Sequence, residues 1–512
     1  MKRLAAFAFV SSLTFLAGGA YAADEAPAAK PAAPENKPIP KEEKSVTHHS
    51  VSINGREINY TATAGNLLIK DEKDEPVASM FYVAYTEDGT KDSDRRPVSF
   101  VYNGGPGSSS IWLHMGAFGP MMVETSNAEP TPPPPYGLKA NPYSLLDKTD
   151  LVFIDAVSTG FSQPVGKGEG KDFWGVDEDA SAFGRFIQRY ISVNGRWNSP
   201  KFLLGESYGT TRSANLVDWL QDKGVAMNGV ILVSSVLNYG DTFPGTDLEY
   251  VTYLPSYAAI AWYHDKLPNK PADLKAFLEE VRAFARGEYA DALFQGASLP
   301  QTEYNEVLQK LHSYTGLSEQ YLKQADLRVS ATRFRAELLR DSDRTVGRYD
   351  ARFEGINVDD AEETPDYDAS DTAISAAFTA AFNRYLRADL GYSGDADYRV
   401  TGYDVIRNWD WKHPLPGRPQ FREPPLPDVQ ANLADAIRKN PHLKVFSANG
   451  YFDLATPFFK TEFDLDQMDL PPELMKNVEF GYYPSGHMIY LNPVAHKQLT
   501  ADLDKFYDQA MQ

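Results

Sequence analysis

Lys201-Phe202-Leu203-Leu204-Gly205-Glu206-Ser207-Tyr208-Gly209, continuing through Thr210 to Lys223, decides how this chain is read. Lys201 to Leu204 is a short apolar run of the kind that suits a buried strand. Beyond Gly209, Ala214, Val217, Trp219 and Leu220 recur at mostly helical spacing, and Gly224 supplies a C-cap. Gly205 and Gly209 bracket Ser207 in a G-x-S-x-G pattern, where a side chain at either glycine would crowd a tight strand-to-helix turn. A serine on such a turn holds its hydroxyl out where a base and a substrate can both reach it.

A base and its orienting acid should then follow downstream, acid first. Lys444 to Gly450 reads as a strand closing on glycine, and Asp453 follows in the loop Tyr451 to Pro457. Val478 to Tyr483 alternates as another short strand, with Gly486-His487-Met488 at its end. Alone, Asp453 reads as a turn former and His487 as an ordinary histidine. Together, each just past a strand end, they converge on the edge where parallel sheets place ligands. In that arrangement His487 takes the Ser207 proton, Asp453 holds the imidazole tautomer, and the alkoxide attacks an acyl carbon. Pro97 to Tyr102 is a further strand pattern, and Asn103-Gly104-Gly105-Pro106-Gly107-Ser108-Ser109 after it brings bare N–H groups to half of an oxyanion hole. The Tyr208 N–H is the other donor. Neither G-x-x-x-x-G-K-[ST] nor G-x-G-x-x-G occurs here, which argues against phosphate binding.

These segments, with Asn141-Pro142-Tyr143-Ser144 and Asp150 to Ser162, make the chain resemble the serine carboxypeptidases, the group of carboxypeptidase Y and cathepsin A. The resemblance runs from about residue 100 to 490. It implies an α/β-hydrolase fold with a mostly parallel sheet and a helical cap. It further implies that Gly105 and Tyr208 form the oxyanion hole, while Asn103, Gly104 and Glu206 receive the substrate's C-terminal carboxylate. Two carboxylates share a site only with a proton between them, so Glu206 is expected to be protonated and the activity to favour acidic pH. The chain departs from the family pattern at Val101 and Ser108, where Trp and Cys are common, and at Ala156 and Ser158, where Pro and Gly are.

Composition sets the surroundings. Met1 to Ala22, with Lys2 and Arg3, an apolar stretch and Ala20-Tyr21-Ala22, has the layout of a cleavable signal peptide. Residues 23–47 read as an Ala/Pro-rich linker. Cleavage would remove two of the 50 cations and none of the 70 anions, leaving a net charge of −22. Such a surface disfavours nucleic acid and anionic membranes, and no segment is long and apolar enough to span a bilayer. Zero cysteines in an exported chain point to a bacterial periplasm, or secretion, without disulfides. The nine histidines include no H-E-x-x-H, and the adjacent His48 and His49 sit at the linker boundary, so neither metal nor other cofactor is expected.

The mature length suits one α/β-hydrolase domain in two parts, 48–240 and 406–512, interrupted by a helical cap at 241–405. Asn54-Gly55 and Asp88-Gly89 mark turns among antiparallel strands, and Leu274 to Phe284 and Leu317 to Arg340 have helical spacing. The arginines from Arg333 to Arg352, mixed with Asp and Glu, read as a solvated, ion-paired face. Tyr482, Tyr483, Tyr490, Trp409 and Trp411 divide between core and substrate pocket. The expected function is peptide hydrolysis from the C-terminus through an acyl-enzyme on Ser207. Ester hydrolysis or acyl transfer by the same residues, and a catalytically silent peptide-binding protein, are the alternatives. The sequence carries no signal for an assembly state.

Overall fold

The computed structural model describes residues 36–240, 245–393, 396–416 and 426–512. The expected signal peptide and most of the linker lie outside them. The linker ends earlier than 47: Lys37 pairs with Gly166, and a strand begins at Lys44. Lys37–Gln512 form one compact unit.

The central sheet contains β1 (Lys44–Ile53), β2 (Arg56–Lys70), β3 (Pro76–Glu87), β4 (Val98–Tyr102), β5 (Asp150–Ile154), β6 (Lys201–Ser207), β7 (Gly229–Ser235), β8 (Lys444–Gly450) and β9 (Val478–Tyr483). Their spatial order is β1-β2-β3-β5-β4-β6-β7-β8-β9, with Gln163–Pro164 added beside β3. β1, β2 and β3 are antiparallel, and β5 through β9 are parallel neighbours. This is the α/β-hydrolase fold, a mostly parallel sheet covered by helices. The Asn54-Gly55 turn closes the β1–β2 hairpin with φ 50° and 77°. Asp88-Gly89 instead ends β3, and the chain leaves for the middle of the sheet.

Buried strands carry apolar residues on both faces, and successive side chains enter different cores. Phe202 and Leu204 of β6 pack with the C-terminal helix (Leu499, Phe506, Tyr507), while Leu203 packs with Phe183, Phe186 and Val217 of the helices on the other face. Those helices are α1 (Val176–Val193), with Asp177, Glu178 and Asp179 complementing its N-terminal dipole, and α2 (Tyr208–Asp222). Strand order reverses at β4: the chain moves out to β5 and returns to β6 on the other side. The C-terminal ends of β4 and β6 therefore flank the crevice where open α/β sheets bind ligands.

Between β7 and β8 the chain is mainly helical, and its core includes Tyr257, Leu278, Leu311 and Phe334. Tyr451, Phe452 and Leu454, which flank Asp453, belong to that same core. Leu317 to Arg340 is not continuous. It turns at Asp326 and Leu327, both at positive φ, and restarts at Ser330, whose side chain caps the next helix. The arginine run is ion-paired at Arg333, Arg340 and Arg352, but it is not a uniformly solvated face, because Arg335 and Arg352 are buried.

Candidate active site

Ser207 ends β6 at φ 61°, ψ −131°, a conformation costly for a residue with a Cβ, and α2 starts at the next residue. The glycines around it allow close approach. A Cβ on Gly205 or Gly104 would fall inside the backbone of the elbow, the latter 2.6 Å from the Tyr208 Cα. The β4 loop is thus seated directly on the first turn of α2. Gly104→Ala is expected to cost roughly 1–3 kcal/mol or more through this overlap, read as a lower denaturation midpoint.

Asn103 is fixed from both ends. Its Oδ1 accepts the Leu113 N–H at 3.0 Å, which aims Nδ2 at Glu206 Oε1, 2.7 Å away. Its carbonyl accepts from Arg212, a buried guanidinium paired with Asp179 beneath the rings of Tyr102, Phe183 and Tyr208. Glu206 is 2% exposed, and burial pushes its carboxyl up to about 7 against the opposing pull of His487 and its hydrogen-bond donors. Its Oε2 closes no hydrogen bond of normal geometry among the described residues, and neither does the Tyr490 hydroxyl beside it.

His487 follows β9 in a loop clasped by neighbours. Ser234 donates to its carbonyl at 2.6 Å, and its N–H donates to the Tyr349 carbonyl at 2.6 Å. The Tyr349 ring leans on the imidazole at 5.1 Å. Nδ1 lies 2.8 Å from Asp453 Oδ2 and 3.1 Å from Thr456 Oγ1. Asp453 is fully enclosed. Its Oδ1 accepts the N–H groups of Ala455 and Thr456 at 2.7 and 3.0 Å, and Oδ2 accepts the Thr456 hydroxyl at 2.7 Å. Burial opposes protonation of His487, but the charge and hydrogen bond of Asp453, with the charge of Glu206, carry its pKa above the ordinary imidazole value.

Two cavities meet at Ser207. One, of about 190 Å³, is lined by Asn103, Gly104, Gly105, Glu206, Ser207 and His487. The other, of about 220 Å³, has Gly105, Ser207, Tyr208, Tyr239, Tyr349 and Trp411 in its walls. Every residue proposed from the sequence as part of the site thus borders one of these cavities, except Asp453, which lies behind His487. Thr456, Tyr349, Arg212 and Asp371 were not singled out. Only Thr456 sat in a loop already quoted. Of the aromatic residues considered, Trp411 lines a cavity, Tyr490 stands beside Glu206, and Tyr483 is core. Ser158 keeps a left-handed φ of 73° where the family pattern has glycine, and its hydroxyl accepts from Trp174 at 3.2 Å.

The sheet order and the strand-to-helix elbow define an α/β-hydrolase fold, and the elbow serine lines one cavity with a histidine that is bonded to an aspartate. The serine carboxypeptidase family model matches residues 55–331, more than half of the chain, and the protein belongs to that family. Asp453 and His487 lie beyond the matched span. The pheromone-processing carboxypeptidase KEX1 of Saccharomyces cerevisiae is 32% identical over 145 residues, which is 27% of this chain and only about a fifth (19%) of that relative's length. The crystal structure of a prohormone-processing carboxypeptidase, KEX1(delta)p, from the same yeast superposes with a TM-score of 0.51 at 16% identity, covering 87% of this chain and 92% of that one. A proline iminopeptidase from Mycobacterium smegmatis gives a TM-score of 0.36 at 14% identity, over 87% and 98% of the two chains.

Proposed function

We propose that the protein is a carboxypeptidase that removes C-terminal residues through an acyl-enzyme on Ser207. The observation that carries this reading is the buried Glu206 carboxyl, held by Asn103 at 2.7 Å, on a residue that lines the same cavity as Ser207 and His487. An esterase has no need of a protonated acid there; a peptide's terminal carboxylate does. His487 Nε2 takes the Ser207 Oγ proton as Oγ adds to the carbonyl carbon. The N–H groups of Gly105 and Tyr208 receive the oxyanion. The C–N bond then breaks as His487 returns the proton to the departing amine, and water releases the acyl group by the same steps. Asn103, Gly104 and Glu206 hold the terminal carboxylate. Residues 241–405 serve as the cap over the strand ends, and the N-terminal leader directs export to the periplasm or the medium.

Mass spectrometry of a peptide pool incubated with the protein tests this reading: stepwise C-terminal ladders support it, whereas internal cuts, N-terminal ladders or hydrolysis of esters alone overturn it. The pH dependence is a second check. Glu206 loses its proton near pH 7, and above that value a substrate carboxylate meets a second negative charge. KM should therefore rise with pH, by up to about tenfold per unit. Glu206→Gln should remove that rise. It also removes a charge that favours imidazolium, so the acid limb of kcat should move to lower pH, since the two groups titrate together. A KM profile unchanged in Glu206→Gln, with the fold intact, would falsify the role given to Glu206.

A further inference from the structure

Arg212 brings a guanidinium into the core beneath the elbow, where it is 1% exposed, and no step given to Ser207, Asp453 or His487 uses it. Withdrawing a guanidinium and the Asp179 carboxylate from water is costly, and an apolar pair of similar volume would join α1 to α2 at least as firmly. An apolar pair could not donate hydrogen bonds. Arg212 Nε donates to Asp179 Oδ2 at 2.6 Å, and Nη1 donates to the Asn103 carbonyl at 2.7 Å. The group is planar, so an Nε fixed on α1 and the rings of Phe183 and Tyr208, at 4.2 and 5.5 Å, leave Nη1 one direction.

The carbonyl it holds has no other support. The β4–β6 ladder ends at the Tyr102–Gly205 pair, one residue short of it, and Arg212 is its only donor among the described residues. The peptide from Asn103 to Gly104 is trans, since the two cis bonds among the described residues are Gly105-Pro106 and Pro134-Pro135. In a planar trans peptide the C=O and the N–H point opposite ways, so a grip on the Asn103 carbonyl also sets the direction of the Gly104 N–H. Gly104 lines the cavity of Glu206 and Ser207, and its N–H donates to no group among the described residues. Without Arg212 the carbonyl would be a buried acceptor lacking a donor, and glycine on one side of the peptide offers little resistance to rotation of its plane.

We propose that Arg212 is a positioning residue: by holding the Asn103 carbonyl it aims the Gly104 N–H at the substrate's terminal carboxylate. The inference rests on the carboxypeptidase reading and adds to it the group that orients the anchor in advance. The experiment compares kcat/KM for one peptide with a free C-terminal carboxylate and for the same peptide as its C-terminal amide, at a pH below about 7, where Glu206 keeps its proton. The wild-type protein should favour the acid. Arg212→Met keeps an unbranched stem among the rings and removes the donor. The acid-to-amide ratio should then fall by about ten- to a hundredfold, the worth of one hydrogen bond to a charged group. The loss should appear in KM, because the terminal carboxylate is held alike in the bound substrate and in the transition state. Arg212→Met leaves Asp179 buried and unpaired, so the double variant Asp179→Asn/Arg212→Met, which strands no charge, is measured beside it and should show the same fall. The ratio is internal to each preparation, and partial loss of folded protein cancels. A wild-type preference that survives in the double variant, however far both rates drop together, makes Arg212 a support of the fold alone and overturns the assignment while the carboxypeptidase stands. A wild-type protein that cleaves the amide as fast as the acid overturns both.

Discussion

Ser207→Ala is expected to lower kcat for C-terminal release by between about 10⁴- and 10⁶-fold, with the folded state intact. The size follows from what the substitution removes and what it leaves. It deletes the atom that would carry the acyl group, so the two-step route closes. It leaves the N–H groups of Gly105 and Tyr208, proposed to receive the oxyanion, and the residues proposed to hold the terminal carboxylate, and on that proposal they account for the residual rate. Structurally the loss is small: alanine keeps the Cβ that the elbow already accommodates at φ 61°, and the Ser207 side chain makes no capping hydrogen bond whose partner would be orphaned. The measurement is the rate of ladder formation beside a thermal melt. Ladders persisting at a comparable rate would assign the chemistry elsewhere. A wild-type protein that neither forms ladders nor reacts at Ser207 with a serine-directed phosphonate would instead be a silent binder.

The parts of this site that can be read along the chain are those built at strand ends. The elbow, the Asn103 to Ser109 loop, Asp453 and His487 each follow a strand whose apolar run is visible, because a parallel sheet sends all such ends to one edge. What cannot be read that way comes from packing between distant segments. Tyr349 and Asp371 belong to the long insertion, and their own neighbours in sequence carry no period that would place the one against His487 or the other in the wall of the same cavity. Arg212 lies on α2 at a position that looks like an ordinary helix surface. It is buried because Asp179 arrives from α1 and three aromatic rings enclose it. The insertion misleads in another way. Leu322, Leu327 and Phe334 are all core residues, so the apolar spacing from Leu317 to Arg340 is real, but the turn at Asp326 and Leu327 divides it between two short helices.

Asp453→Asn should be nearly as damaging as loss of the serine, by roughly 10⁴-fold in kcat, although it changes one atom. The reason is in the hydrogen bonds around the carboxylate. Oδ1 accepts two backbone N–H groups, from Ala455 and Thr456. An asparagine keeps both only by placing its carbonyl oxygen there, since the flipped amide would leave two buried donors unsatisfied at about 1–3 kcal/mol each. The NH₂ group must then take the place of Oδ2, 2.8 Å from His487 Nδ1. A donor at that distance obliges Nδ1 to accept, which moves the imidazole proton to Nε2. In that tautomer His487 has no lone pair for the Ser207 proton. Thr456→Val, by contrast, removes one hydroxyl from Oδ2 and leaves the Asp453–His487 bond in place. It should cost about ten- to a hundredfold at most, the worth of a single hydrogen bond to a charged group. The informative comparison is kcat for the two variants on one peptide. If Asp453→Asn stays within tenfold of the wild type, the two N–H groups do not dictate the amide's orientation, and Asp453 does not govern the tautomer of His487.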